Sequence, residues 1–280
     1  MPDPANEPVL VSPVYLAGCT YAEQTALLPL LDEEWPMHDD DADTFHLTSP
    51  DTRIRLAHTT GDRRWSGAWA WHLTGFADPF SAPTWAAKFT HATPTELLTA
   101  LAAALPGNLG LSSPSLARQR VCEQEVFNPL HRAGWERPAD LADRPGYHVT
   151  APDSLALLAL DRRGFPDLRL GSTGLAVWQI AVRDPDEVEP HPGSWTAAFS
   201  RDFPLHLLAA LTRRLADPTP VHRYPHQIPE HFRTAVHSRA ASATSAAAAS
   251  TLTAGSTTGT PAPRIDPAPE PPTARPQRLR

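Results

Sequence analysis

The chain repeats itself, and that repeat constrains its fold more than any other feature. Phe45–Asp51 (FHLTSPD) matches Tyr147–Asp153 (YHVTAPD), with the His, Thr, Pro and Asp unchanged. Trp85–Thr90 (WAAKFT) matches Trp195–Ser200 (WTAAFS), and both lead into an apolar stretch after a Pro, at Pro94–Leu105 and Pro204–Leu215. Upstream, Pro29, Leu30 and Trp35 correspond to Pro129, Leu130 and Trp135. The landmarks keep their order while the offset grows from 100 to 110 residues, so the second copy carries longer loops. A fold that occurs twice must fit within one copy, about 95 residues at this spacing.

Hydrophobic spacing divides one copy into elements. Phe45 and Leu47 alternate with Thr44, His46 and Thr48, the pattern of a half-buried strand. Ser49-Pro50-Asp51-Thr52 reads as a tight turn, since Pro presets φ and Asp bonds the backbone just ahead of it. Ala151-Pro152-Asp153 is its counterpart. Ile54 and Leu56 continue as a second strand. Trp69, Trp71 and Leu73 follow on one face of a third, after Gly61-Asp62, and Trp85, Ala87 and Phe89 make a fourth. A helix closes the copy. Thr93 and Glu96 form a capping box around Pro94, Leu97, Leu98, Leu101 and Leu105 form its apolar stripe, and Pro106-Gly107 ends it. A short helix near Pro29–Glu34 precedes the first strand.

The fold class expected is α+β: two tandem α-β-β-β-β-α repeats, each a four-stranded antiparallel meander with its C-terminal helix packed on one face. The repeats span 10–107 and 110–217. Residues 218–280 read as a linker and a disordered tail, because the Ala/Ser/Thr/Pro-rich end lacks aromatics after Phe232 and buries too little apolar area to order.

Charge narrows the partners. The net charge is −7, with one Lys, Lys88, against 23 Arg. Residues 1–110 carry 5 basic and 14 acidic residues, which repel a phosphate backbone and disfavour nucleic acid as a partner. No apolar run is long enough to span a membrane, and the N-terminus lacks a secretion signal, so a cytoplasmic protein is expected. Cys19 and Cys122 sit apart and read as separate thiols.

Chemical motifs are scarce. No nucleophile elbow, phosphate-binding glycine loop or paired CxxC occurs, so no catalytic residue, cofactor or metal is expected. Asp39, Asp41 and Asp43 imitate the opening of a calcium loop, but Thr44 and Pro50 stand where it needs Gly and Glu. His222, His226, His231 and His237 fall in a Pro-broken stretch unsuited to fixed metal geometry. His46 and His148 read as equivalent surface histidines. Trp35, Trp71 and Trp85 recur as Trp135, Trp178 and Trp195, as core rings or, where a sheet face is uncovered, as a contact platform. Trp71, Trp85, Trp178 and Trp195, with Arg169 and Arg183, are the candidate sheet-face contacts.

The Ser49-Pro50-Asp51 turn, the spaced tryptophans and the PTELL start of the last helix resemble the SPDY family, domain of unknown function (DUF) 317, a family of streptomycetes and their relatives. The resemblance covers about 60 residues of each copy, and tandem copies are usual in that family. It implies no activity and no functional residues. Two functions stay open: a protein-interaction or regulatory module with an unknown protein partner, and a single-stranded nucleic-acid binder using the sheet faces. For the second, Arg162, Arg163, Arg169 and Arg183 lie around the strands of the second copy.

Overall fold

Apolar residues at every second position build strands, and the computed structural model joins nine of them into one antiparallel sheet. The structure describes residues 7–20, 23–40, 43–60, 68–106, 121–139, 146–185 and 191–240. The chain opens with β1 (Val9–Ser12) and α1 (Leu28–Asp32). The first copy then supplies β2 (Met37–Asp39), β3 (Thr44–Thr48), β4 (Ile54–Thr59), β5 (Trp69–Phe76), β6 (Pro83–Thr90) and α2 (Thr95–Ala104), five strands where four were expected, because Met37–Asp39 pairs back onto β3. The second supplies α3 (Glu123–Arg132), β7 (Tyr147–Thr150), β8 (Ala156–Leu160), β9 (Ala176–Val182), β10 (Trp195–Ser200) and α4 (Leu205–Leu215). The order in the sheet is β2-β3-β4-β5-β6-β10-β9-β8-β7, so the last strands of the two copies meet in the middle.

That meeting is close to twofold symmetric. β6 and β10 run antiparallel, with Phe89 opposite Ala197, Lys88 opposite Ala198 and Ala87 opposite Phe199. In the repeat, Ala87 corresponds to Ala197, Lys88 to Ala198 and Phe89 to Phe199. Exchanging the copies therefore regenerates the same pairs, and the local axis passes through Lys88 and Ala198. Phe89 and Phe199 touch edge to face across it at 5.5 Å. The equivalent helices α2 and α4 also pack on each other, and α4 packs on α3 as well.

The helices cover one face of the sheet. Leu97, Leu98, Leu101 and Leu105, and Leu207, Leu208, Leu211 and Leu215 of the other copy, share one core with Trp71, Leu73, Phe89, Trp178, Ile180 and Phe199. Each such aliphatic side chain stabilises the fold by roughly 1.5–3 kcal/mol through burial alone. Trp69 departs from the expected face, because a bulge between Trp69 and Trp71 shifts the register of β5. It packs instead on the opposite side, with Ala86 and Ala198. There the loop between β8 and β9 brings in Phe165, Leu168 and Leu170.

The capping box of α2 does not form. Pro94 is the N-cap and no side chain caps the helix. The Thr93 hydroxyl donates to the Thr90 carbonyl at 2.8 Å, and Glu96 is taken by an arginine from far along the chain.

Residues 218–240, expected as a linker, are part of the fold. β11 (Val221–Arg223) and β12 (His237–Ala240) flank β1 in a second, three-stranded antiparallel sheet. Arg223, 2% exposed, fastens this sheet to the N-terminal segment and to the closing helix of the first copy. Its Nε donates to Ala17 O, one terminal nitrogen to Glu96 and His222 O, and the other to Glu96 and Gly18 O, at 2.6–3.1 Å. All described residues fall within one compact unit, 1–241. The tail from 241, the Gly61-Asp62 turn and Gly107 lie outside the described residues. Among the described residues no helix is long and apolar enough to cross a membrane.

Candidate functional site

The SPD turn is built from its own three residues. Thr52 N–H donates to Ser49 O at 2.8 Å, and Ser49 N–H donates to Ile54 O at 2.8 Å. The Ser49 hydroxyl donates to Asp51 Oδ1 at 2.6 Å and accepts the Ile54 N–H at 2.9 Å. Asp51 Oδ1 also accepts the Arg53 N–H at 3.2 Å. Thr52 has φ +60°, a left-handed conformation that closes the turn. The second copy reproduces it: Ser154 donates to Ala151 O and Ala151 to Ala156 O, both at 2.8 Å, and Ser154 has φ +64°. Asp153 Oδ1 accepts the Leu155 N–H at 3.0 Å. Ser49 is buried, Asp51 exposed, and Ala151 buried, so these motif residues primarily shape a hairpin.

The two turns differ in what lies on them. On the second copy the N-terminal segment covers the turn. The Tyr15 hydroxyl donates to Asp153 Oδ2 at 2.7 Å, its ring meets Trp135 edge-on at 5.7 Å, and the Trp195 indole N–H donates to Tyr15 O at 2.9 Å. Burial first, then the hydrogen bond to Asp153 and its charge, push the Tyr15 phenol far above its ordinary value, so it keeps its proton and donates. A cleft of about 510 Å³ remains beside it, lined by Pro13, Arg132, Pro152, Asp217 and His237 among others.

On the first copy no described residue stands on the turn as Tyr15 does, although Trp35, the counterpart of Trp135, is likewise 2% exposed. Asp51 Oδ2 meets no donor among the described residues, and the half-buried Trp85 has no acceptor for its indole N–H there. β2 forms the outer edge of the sheet with all three residues exposed, Met37 to 49%. The hairpin joining β5 to β6 ends at the same side, since Phe76 N–H bonds Arg53 O next to the turn. At its tip stands Phe80, 98% exposed.

This tip is an ordered structure. Asp78 Oδ1 accepts the Phe80 N–H at 3.0 Å, the Ser81 hydroxyl donates to Asp78 O at 2.9 Å and Ser81 N–H closes the turn onto the same oxygen. Arg55 reaches across from β4, donating to Pro79 O at 3.0 Å while its guanidinium stacks 4.5 Å above the Phe76 ring. The acidic residues Asp39, Asp40 and Asp43 lie at the other end of β3, beside Phe45 and Thr44, while Arg53 and Arg55 follow the turn itself.

Most of the tryptophans named from sequence lie elsewhere. Trp71, Trp178 and Trp195 are each 2% exposed and sit beneath the helices. Trp85 lies over Gly75 and meets Phe203 edge to face at 5.3 Å. No aromatic platform of these four rings faces solvent. The physical reason is volume: four helices need large rings to fill the space between themselves and the sheet. Arg169 is exposed on the β8–β9 loop and Arg183 is exposed past the end of β9. Arg162 and Arg163 follow β8 at the opposite end of those strands from Arg183, and Arg162 is held by Glu123 at 2.7 Å. The four arginines do not form one strip.

The opposite sheet face carries a single row across all nine strands: His38, His46, Ala57, His72, Lys88, Ala198, Gln179, Ala159, His148. His46 bonds Asp40 at 3.0 Å and stacks on His38, whereas His148 is buried, so the two equivalent histidines differ in environment. Burial, then the Lys88 charge, hold His72 below its ordinary value, against a backbone bond at Trp69. Among the described residues no group of three or more His, Cys, Asp or Glu could hold a metal ion.

Phe80 was missed from sequence because the FADPFSAPTW stretch reads as an ordinary loop. Its only signal is one large apolar residue inside an Asp-Pro-x-Ser turn, where polar residues are the rule. Comparison with curated proteins and with solved structures finds no match. The family model of SPDY, a domain of unknown function (DUF317), matches residues 48–107 and 118–221, together more than half of the chain. Carrying the model twice, each time across the turn, the strands and the closing helix, the chain belongs to the SPDY (DUF317) family.

Proposed function

We propose that this chain is a non-enzymatic protein-binding module of the cytosol, made of two fused copies of one α+β unit, and that the turn end of the first copy is its contact surface. Phe80 carries the reading. A phenylalanine held fully in water forgoes roughly 1.5–3 kcal/mol of burial that a partner can supply. The hairpin that presents it is already ordered, so docking costs little conformational entropy. Rigid aromatic anchors of this kind concentrate binding energy at protein interfaces. Single-stranded nucleic acid is the competing partner, and it would engage Arg169 and Arg183. The acidic first copy opposes it.

The test is a pull-down from the native cytosol with the tagged full chain after nuclease treatment, run beside Phe80→Ala. A protein retained by the wild type and lost by Phe80→Ala, with unchanged thermal stability, supports the module. Nucleic acid enriched without nuclease and released above moderate salt overturns it.

A further inference from the structure

The second copy holds a segment of this chain on its turn, and the first copy has the same groups without such a segment among the described residues. On the second copy three contacts hold residues 12–17: the Tyr15 hydroxyl on Asp153 Oδ2, the Tyr15 ring against Trp135, and the Trp195 indole on Tyr15 O. The counterparts on the first copy are Asp51, Trp35 and Trp85. The turns around Asp51 and Asp153 share their closing bonds and their left-handed residue, so each carboxylate stands at the same place on its hairpin, with Oδ1 spent on the backbone and Oδ2 left over. Asp153 Oδ2 is filled by Tyr15, while Asp51 Oδ2 meets no donor among the described residues. Trp85 is half-buried and its indole N–H has no acceptor there, while Trp35 is 2% exposed and already covered.

We propose that the turn end around Asp51 docks an extended segment of a partner protein that presents an unmodified tyrosine hydroxyl, held on Asp51 Oδ2 as Tyr15 is held on Asp153. This rests on the reading of the chain as a protein-binding module. The carboxylate selects a hydroxyl that donates, as Tyr15 does. A phosphorylated tyrosine has no hydroxyl to donate and would set its own charge against the Asp51 carboxylate, so it is rejected. A hydrogen bond to a charged acceptor accounts for roughly tenfold or more in affinity, which sets the scale of the test.

The probe is a synthetic peptide with this chain's own sequence 10–18, LVSPVYLAG, titrated into the full-length protein and followed by intrinsic tryptophan fluorescence and calorimetry. Saturable binding is expected, weakened about tenfold by Asp51→Asn and by a Tyr-to-Phe peptide, and abolished by a phosphotyrosine peptide. Asp51→Asn keeps an oxygen for the Arg53 N–H, so its melting temperature should match the wild type, and the peptide series needs no protein variant at all. Absence of saturable binding overturns the proposal, as does equal affinity for Asp51→Asn. Binding weakened by Asp153→Asn and not by Asp51→Asn also overturns it, because the peptide would then be exchanging into the second copy. A protein partner captured through Phe80 while the peptide fails removes this docking mode and leaves the protein-binding reading standing.

Discussion

Arg223 brings a full charge to a position 2% exposed and meets it with Glu96 and three backbone carbonyls, so each of its donors has a use. Removing one member of such a set strands the rest. Arg223→Met should lower unfolding free energy by about 3–5 kcal/mol in urea titrations, and Arg223→Lys should recover little, because a point ammonium cannot reach acceptors arranged for a planar fork. A loss below about 1 kcal/mol would show that the clasp is incidental. Residue-level backbone strain gives the opposite sign. Glu34 ends α1 at φ +58° where the second copy has Gly134 at φ +84°, and Thr52 holds φ +60° despite its β-branch. Glu34→Gly and Thr52→Gly should therefore each raise stability by roughly 1 kcal/mol. The turn itself was legible from Ser49-Pro50-Asp51, because its bonds are local. The fate of Glu96 was not. A Thr-x-x-Glu spacing states a local option, and a buried arginine 127 residues away offers a stronger partner.

Strands β3 to β6 and the helices α1 and α2 of the first copy followed from hydrophobic spacing, within a residue or two at most ends, since burial on one face imposes period two or 3.6 on any sequence. β2 escaped because its three exposed residues show no apolar alternation, and the other strands that escaped are those whose pairing is remote. β1, β11 and β12 are three or four residues each, and β1 becomes a central strand only by meeting chain from beyond residue 220. The bulge that turns Trp69 to the opposite face also leaves no mark in the alternation. At the end of α4, Asp217 accepts the Thr219 N–H at 2.9 Å and pairs with Arg214 at 2.8 Å. Burial pushes its carboxyl up, but the bonds from Thr219 and the Arg214 charge outweigh that and hold it below its ordinary value. A carboxyl depressed in the fold contributes stability above the unfolded value, near pH 4, and loses it as pH falls through the folded one. Urea stability of the wild type should drop on acidification below about pH 4 more steeply than that of Asp217→Asn. Parallel acid limbs for the two proteins would contradict the assignment.

Duplication was plain in the sequence, but the way the copies join was not, because β6 and β10 carry no feature that distinguishes a paired edge from a free one. The joint has energetic consequences. Two separate meanders would each leave an unpaired strand edge and a half-covered core, whereas pairing around Lys88 and Ala198 joins nine strands through eight ladders and lets Phe89 and Phe199 fill one space. α2 and α4 seal the same seam, and Arg223 ties the ends of the chain to the first copy. The copies are therefore expected to unfold together. Urea titration followed by tryptophan fluorescence and by far-ultraviolet circular dichroism should give coincident single transitions, since Trp35, Trp71 and Trp85 report one copy and Trp135, Trp178 and Trp195 the other. Phe89→Ala, at the seam, should cost about 3–5 kcal/mol and move both signals equally. Two resolved transitions, or a Phe89→Ala midpoint shift confined to one signal, would mean that the halves are linked without being coupled. A surface on the first copy would then be free to act without reference to the second.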